Sequence, residues 1–195
     1  MPVVPAFDQS TYQVRFEWGI EGLRRLARAD VVVVVDVLQT APSDGTDPIA
    51  TAAHESGALV LQGGLRNASA VGTYICAEQV RRDRRTSVAV VARGEPVPDR
   101  GDLRFAVEDL FGAGAVLDGL IERGLDHTSP EAVAAAESFR SLRGALQHLV
   151  SASGSARALR GGPGRLAAVE EAIRTAAWLD ASGTVPVFRD GRFVV

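Results

Sequence analysis

Polar and apolar residues alternate from Gln13 to Trp18 as in a half-buried strand, and Gly19 closes the run. From Ile20 to Ala29 the apolar positions Ile20, Leu23, Leu26 and Ala27 recur at helical spacing beneath exposed arginines, which predicts an amphipathic helix. The stretch from Val31 to Leu38 is then apolar throughout except for Asp36. A continuous β-branched run of this kind suits a central strand buried on both faces, and it is far too short to cross a bilayer. The segment from Ala41 to Pro48 is dense in turn formers and ends in a proline suited to the first position of a helix, predicted over 48–56 with Gly57 as its stop.

Ala58 to Leu61 predicts the next strand. Asn67 or Ser69 is placed to cap a helix running to about Asp83, whose C-terminal arginines complement the helix dipole. Ser87 to Ala92 is another buried-type strand, and the Gly-, Pro- and Asp-rich stretch from Arg93 to Asp102 reads as a loop. Helices follow over 107–123, 130–142, 145–150 and 165–179, with Gly161 to Gly164 as a loop. Val185 to Phe188 and Phe193 to Val195 flank an Asp-Gly turn, the signature of a terminal hairpin. Strands alternating with helices predict an α/β fold: a mostly parallel sheet with helices on both faces, in three layers.

Composition narrows the function classes. With 195 residues and 46% hydrophobic positions the chain fits a single globular domain, long enough for a core that needs no disulfide or metal. Cys76 is the lone cysteine, which excludes an internal disulfide and Cys-rich metal sites. No run is long enough to span a membrane, and the N-terminus lacks a signal-peptide pattern, so no membrane association and a cytoplasmic location are expected. A formal net charge of −3 argues against a nucleic-acid partner. Every basic residue is Arg, which removes Schiff-base lysine chemistry and a lysine-type phosphate loop.

In an open parallel sheet, ligands bind beyond the carboxyl ends of the strands. Those ends carry Asp36, the run Gly63-Gly64-Leu65-Arg66-Asn67, and Arg93-Gly94-Glu95, while Glu108 and Asp109 open a later helix. Gathered in one crevice, these groups suit Mg2+, which takes carboxylate and water oxygens and bridges to phosphate, with Arg66 pairing the phosphate through its planar fork. Backbone N–H groups of Gly63 to Asn67 would add an anion nest. Water attack on phosphorus is the reaction such an assembly suggests. Plainer roles compete: a turn cap for Asp36, dipole compensation for Glu108 and Asp109, a helix cap for Asn67. His54, His127 and His148 share no metal-ligand spacing.

Taken together, these residues resemble the 2-phosphosulfolactate phosphatase family. The matching segments are Trp18-Gly19 with Glu21-Gly22-Leu23, Val35-Asp36-Val37-Leu38, Leu65-Arg66-Asn67-Ala68-Ser69-Ala70-Val71, Gly94-Glu95, Leu103-Arg104, Glu108-Asp109-Leu110 with Gly112-Ala113-Gly114-Ala115, Ser129-Pro130-Glu131-Ala132, and Val185-Pro186-Val187 with Asp190-Gly191, in the family's order. The resemblance implies one α/β phosphatase domain over residues 1–195, Mg2+ dependence, a homodimer, and hydrolysis of a small phosphorylated, sulfonated hydroxy acid. It further implies Asp36, Glu95 and Arg66 as catalytic residues, Asp36, Glu108 and Asp109 as metal ligands, and Gly64, Asn67, Ser69 and Asp44 as substrate contacts. Relatives carry a segment between Leu38 and Ala41 that this chain lacks. Pro96 stands where they usually have Arg, Gly64 where many have Cys, and Asp44 in place of an Asn. The rival reading is a diverged member that keeps the scaffold as a binding protein or performs another reaction of a specialised pathway. A purely structural dimer module leaves acids at several strand ends unexplained.

Overall fold

The valines of strand β2 (Val31–Val35) are all buried, and they divide between opposite faces of the sheet. Val31, Val33 and Val35 join one core, Val32 and Val34 the other, as the two-residue period of a strand requires. The computed structural model describes residues 5–40, 47–97 and 103–195; of the turn-rich segment expected over 41–48, residues 41–46, with Asp44, lie outside them. Around β2 stand β1 (Val14–Trp18), β3 (Leu59–Gly63) and β4 (Val88–Ala92), all parallel, in the order β1-β4-β2-β3. Two short strands (β7, Val187–Arg189, and β8, Arg192–Val194) extend the β3 side antiparallel, giving a six-stranded sheet. Their turn places Asp190 and Gly191 at φ 49° and 79°, the left-handed pair of a type I′ hairpin.

Helices α1 (Gly19–Arg25) and α2 (Pro48–Glu55) cover the smaller core through Leu26, Ile49, Ala50 and Ala53. On the other face lie α3 (Ala68–Arg82), α4 (Val107–Glu122), α5 (Pro130–Leu142), α6 (Leu146–Ser151), α7 (Gly154–Gly161) and α8 (Leu166–Ala176). The expected three-layer α/β architecture is therefore observed. None of the described helices is long and apolar enough to cross a membrane.

Several boundaries differ from the sequence expectation. The first helix stops at Arg25 because Leu26 turns into the smaller core, and the buried Arg15 donates from Nη1 to the carbonyls of Ala27 at 2.8 Å and Arg28 at 3.2 Å. The loop after β4 contains a small hairpin, β5 (Glu95–Pro96) with β6 (Leu103–Arg104). Helix α7 was not expected at all. Its start is fixed locally, by the Ser153 hydroxyl accepting the Ala156 N–H, and its burial rests on Ala156, too little apolar periodicity to be read from the chain.

The helix positions open the site. After β2 the chain goes to α2 on one face, whereas after β3 and β4 it goes to α3 and α4 on the other. Loops that diverge from neighbouring strands leave a crevice at their carboxyl ends, here above β2.

Candidate active site

Asp36 is the first residue beyond β2, so its carboxylate stands at the crevice. Arg93, the first residue beyond β4, continues the ladder by donating its N–H to the Val35 carbonyl at 2.8 Å. Its guanidinium Nε lies 2.9 Å from Asp36 Oδ2, and Nη2 reaches Asp47 Oδ2. Asp47 Oδ1 in turn accepts the N–H groups of Ile49 and Ala50, capping α2.

Asp109, in the first turn of α4, is 3% exposed. Its Oδ1 accepts the Val37 N–H at 2.8 Å and its Oδ2 the Gly94 N–H at 2.9 Å, so one carboxylate ties together the loops after β2 and β4. Gly94 adopts φ +67°, and a Cβ there would meet the Arg104 carbonyl at 3.0 Å, so a glycine is needed to aim this N–H inward. The next residue, Glu95, accepts the Thr40 hydroxyl on both oxygens, at 3.0 and 2.8 Å. Helix α4 approaches this closely because Gly112 faces Val35 and Val37, leaving no room for a Cβ.

The electrostatics follow from crowding of like charge. Burial pushes the Asp36 carboxyl up to about 6; Arg93 opposes the rise, and Glu95, Asp47 and Glu108 add to it. Burial also pushes Asp109 well above the usual carboxylate range, helped by Asp36 and Glu108 and opposed by its backbone N–H donors. Asp36, Glu95, Glu108 and Asp109 thus share one local field, the convergence expected from the strand-end rule. Glu108 is 1% exposed. Among the described residues no group of three or more His, Cys, Asp or Glu side chains forms a metal cage. Mg2+ needs only one or two protein carboxylates and keeps several waters, so an excess of carboxylates around Asp36 suits a hydrated ion.

Asp36 also lines a cavity of about 560 Å3 that runs from the carboxyl end of β3 to α8. Gly64, Arg66 and Asn67 line it too. Arg66 makes no side-chain hydrogen bond or ion pair among the described residues. The Asn67 side chain is fully engaged: Oδ1 accepts the Gly64 N–H at 3.1 Å, and Nδ2 donates to the carbonyls of Gln62 at 3.1 Å and Thr184 at 3.0 Å. It shapes the cavity floor, and Gly64's N–H is thereby taken from the expected anion nest. Ser69 is not among the lining residues; its hydroxyl donates to Asp180 Oδ2 at 2.7 Å.

A seam of main chain closes the far side. Pro186 accepts from Gln62 N at 2.9 Å, Asp180 N donates to Leu65 O at 2.9 Å, and Ser182 N to Arg66 O at 2.8 Å. Asp180 Oδ1 also caps α3 by accepting the Ser69 N–H at 2.8 Å.

The family model for 2-phosphosulpholactate phosphatase matches residues 40–191. The chain belongs to the 2-phosphosulpholactate phosphatase family. No curated protein matches it. The family assignment covers Arg66, Asn67, Glu95, Glu108 and Asp109, while Asp36 lies just before the matched span. It supports phosphatase function for the chain. Sequence reading placed Arg93 at a strand end without giving it a role, and it missed Asp47 and the α8 wall. Arg93 was findable, since it follows β4 as Asp36 follows β2. The α8 wall carried no such signal, because its alanines read as an ordinary helix face.

Proposed function

We propose that the protein hydrolyses a phosphate monoester of a small organic molecule, with a phosphorylated hydroxy acid, sulfonated or not, as the reference substrate. The observation that carries this reading is Asp36, which belongs at once to the carboxylate cluster and to the cavity holding Arg66. Arg66 would bind two phosphate oxygens through its fork of donors and counter the charge that spreads over them as the bond to phosphorus breaks.

Asp36 would hold Mg2+ directly, with Glu108 and Asp109 supplying negative charge behind it. When bound, the ion would polarise the phosphoryl oxygens and acidify a water. Glu95, fixed by Thr40, would position or deprotonate the attacking water. Water adds to phosphorus, the ester P–O bond breaks, and the leaving oxygen takes up a proton, giving an alcohol and inorganic phosphate. Asp109 holds the loops that carry Asp36 and Glu95 in register by their backbone N–H groups.

The test is phosphate release from a panel of phosphoesters with Mg2+ and with a chelator. Metal-dependent release that falls by about a hundredfold or more in Asp36→Asn and in Arg66→Ala supports the proposal. No release from any ester by the wild-type protein overturns it in favour of a binding protein built on the family scaffold.

A further inference from the structure

Arg104 leaves the β5–β6 hairpin beside Glu95, with which it is directly paired. Residues opposite one another in an antiparallel pair project from the same face, with Cβ atoms about 5 Å apart. A cation is therefore carried next to the acid proposed to position the attacking water. Glu95 turns its carboxylate to the Thr40 hydroxyl, whereas the Arg104 guanidinium reaches the start of α7. There it fills the space over Gly154 that a side chain would need: a Cβ at 154 would come within 2.7 Å of Nη1, 2.8 Å of Nη2 and 3.1 Å of Cζ. Gly154 opens the helix and so marks the positive end of its dipole. A guanidinium packed against that end brings two positive poles together, an arrangement that an anion between them makes favourable.

The same turn holds a buried donor. Ser155 is 1% exposed, and its hydroxyl makes no hydrogen bond among the described residues. Cα–Cβ bonds lean toward the N-terminus of a helix, so this hydroxyl is inclined toward the end where Arg104 sits. Its neighbours are accounted for: the Ser153 hydroxyl accepts the Ala156 N–H at 3.2 Å, and the Ser153 carbonyl accepts the Arg157 N–H at 3.2 Å. The N–H groups of Gly154 and Ser155, like those of any first turn, have no acceptor within their helix. A buried hydroxyl left unpaired costs free energy that a ligand oxygen would offset.

Resting on the phosphatase reading, we propose that Arg104, Gly154 and Ser155 form a second oxyanion subsite, separate from Arg66, which holds the acid group that the ester carries besides its phosphate. Glu95 links the two ends, since it would place water on phosphorus and adjoins Arg104 across the hairpin. In a three-carbon ester the second acid group lies only a few bonds from phosphorus. A sulfonate or carboxylate there accepts from the guanidinium and from the first-turn N–H groups of α7, while the phosphate stays at Arg66.

The experiment measures kcat/KM for 2-phosphosulfolactate and for isopropyl phosphate, which has the same branched ester carbon and no further acid group. The wild-type protein is compared with Arg104→Gln, Arg104→Lys, Gly154→Ala and Ser155→Ala, with urea unfolding as a check on folding. The wild type is expected to prefer the sulfonated ester by at least about tenfold. Arg104→Gln should cut that preference at least about tenfold, mainly through KM, and Arg104→Lys should restore part of it. Gly154→Ala, whose methyl displaces the guanidinium, and Ser155→Ala should each cut it about threefold or more. In parallel, calorimetry measures binding of sulfolactate and of inorganic sulfate. If neither ester is hydrolysed yet sulfolactate binding weakens at least about tenfold in Arg104→Gln, the subsite stands and the phosphatase reading alone fails. An unchanged preference in Arg104→Gln, equal losses for the two esters, or sulfolactate binding indifferent to Arg104 overturns the proposal. So does sulfate bound at Arg104 as tightly as sulfolactate, which marks a site for an adventitious ion only.

Discussion

Arg93 Nε sits 2.9 Å from Asp36 Oδ2 but makes no hydrogen bond to it among the described residues: the contact is one of charge, without the alignment that strengthens most Arg–carboxylate pairs. Arg93 reaches its second carboxylate, Asp47, through Nη2. The guanidinium is therefore shared, and Asp36 is left under-compensated beside Glu95 and Glu108.

The first consequence concerns stability. The Asp36 carboxyl ordinarily titrates near 3.8 and is pushed up to about 6 in the fold, so between these values the native state holds a proton that the unfolded chain has lost. Its contribution to stability therefore falls as pH rises from about 4 to about 6 and stays low above that. Asp36→Asn, which carries no charge, should be more stable than the wild type at pH 8 by about 1–3 kcal/mol and nearly equal at pH 4, measured by urea unfolding. Equal stability at both pH values would rule out a strained Asp36.

Removing the opposing cation should accentuate the same effect. In Arg93→Gln, Asp36 loses a charge that holds it down, and its midpoint should climb by about one unit or more. The pH at which the loss of stability on alkalinisation levels off should move up by the same amount, while its onset near the unfolded value stays in place, and any acid-side limb of the activity profile should shift with the folded midpoint. A profile that stays in place would show that Arg93 does not govern Asp36.

Arg66 and Asn67 are neighbours with opposite expected signatures. Arg66→Ala should leave unfolding free energy within about 0.5 kcal/mol and weaken phosphate or phosphonate binding at least tenfold. Asn67→Ala should cost about 2–3 kcal/mol, because it leaves the Gly64 N–H and the Gln62 and Thr184 carbonyls without their partner. Calorimetry and urea titration on both variants check this, and a large stability loss in Arg66→Ala would contradict it.

Gly112→Ala tests how α4 delivers its acids. The new methyl would meet Val37 Cγ2 at 2.6 Å and Val35 Cγ1 at 2.8 Å, side chains with little freedom to move. An overpacking cost of about 1–3 kcal/mol is expected. Activity should fall further than stability alone explains, since the first turn of α4 carries Asp109. Gly124→Ala, where no atom lies within 4 Å, controls for the helix end, although its φ of +86° adds strain of its own.

Much of the sheet was readable because the valines of β2 and β4 permit little else, and the strand-end rule then located Asp36, Arg66 and Glu95. Asp109 was found for a partly different reason from the one that holds: its oxygens bind Val37 and Gly94, contacts made across the fold that no local pattern encodes. Ser69 illustrates the converse. It lies in a motif of the family yet turns toward Asp180, a residue 111 positions away that supplies α3 with its cap. The α8 wall was illegible for the same reason, since a helix is assigned to a cavity by tertiary packing and its alanines are equally at home on any surface.

The seam joining residues 62–69 to 180–186 runs largely through peptide groups. A vessel framed by main chain keeps its outline while the side chains facing its interior are exchanged. Descendants of this scaffold can therefore acquire new specificities by substitution at Ala168, Ala172 or Thr175 without rebuilding the walls that hold the reacting phosphate.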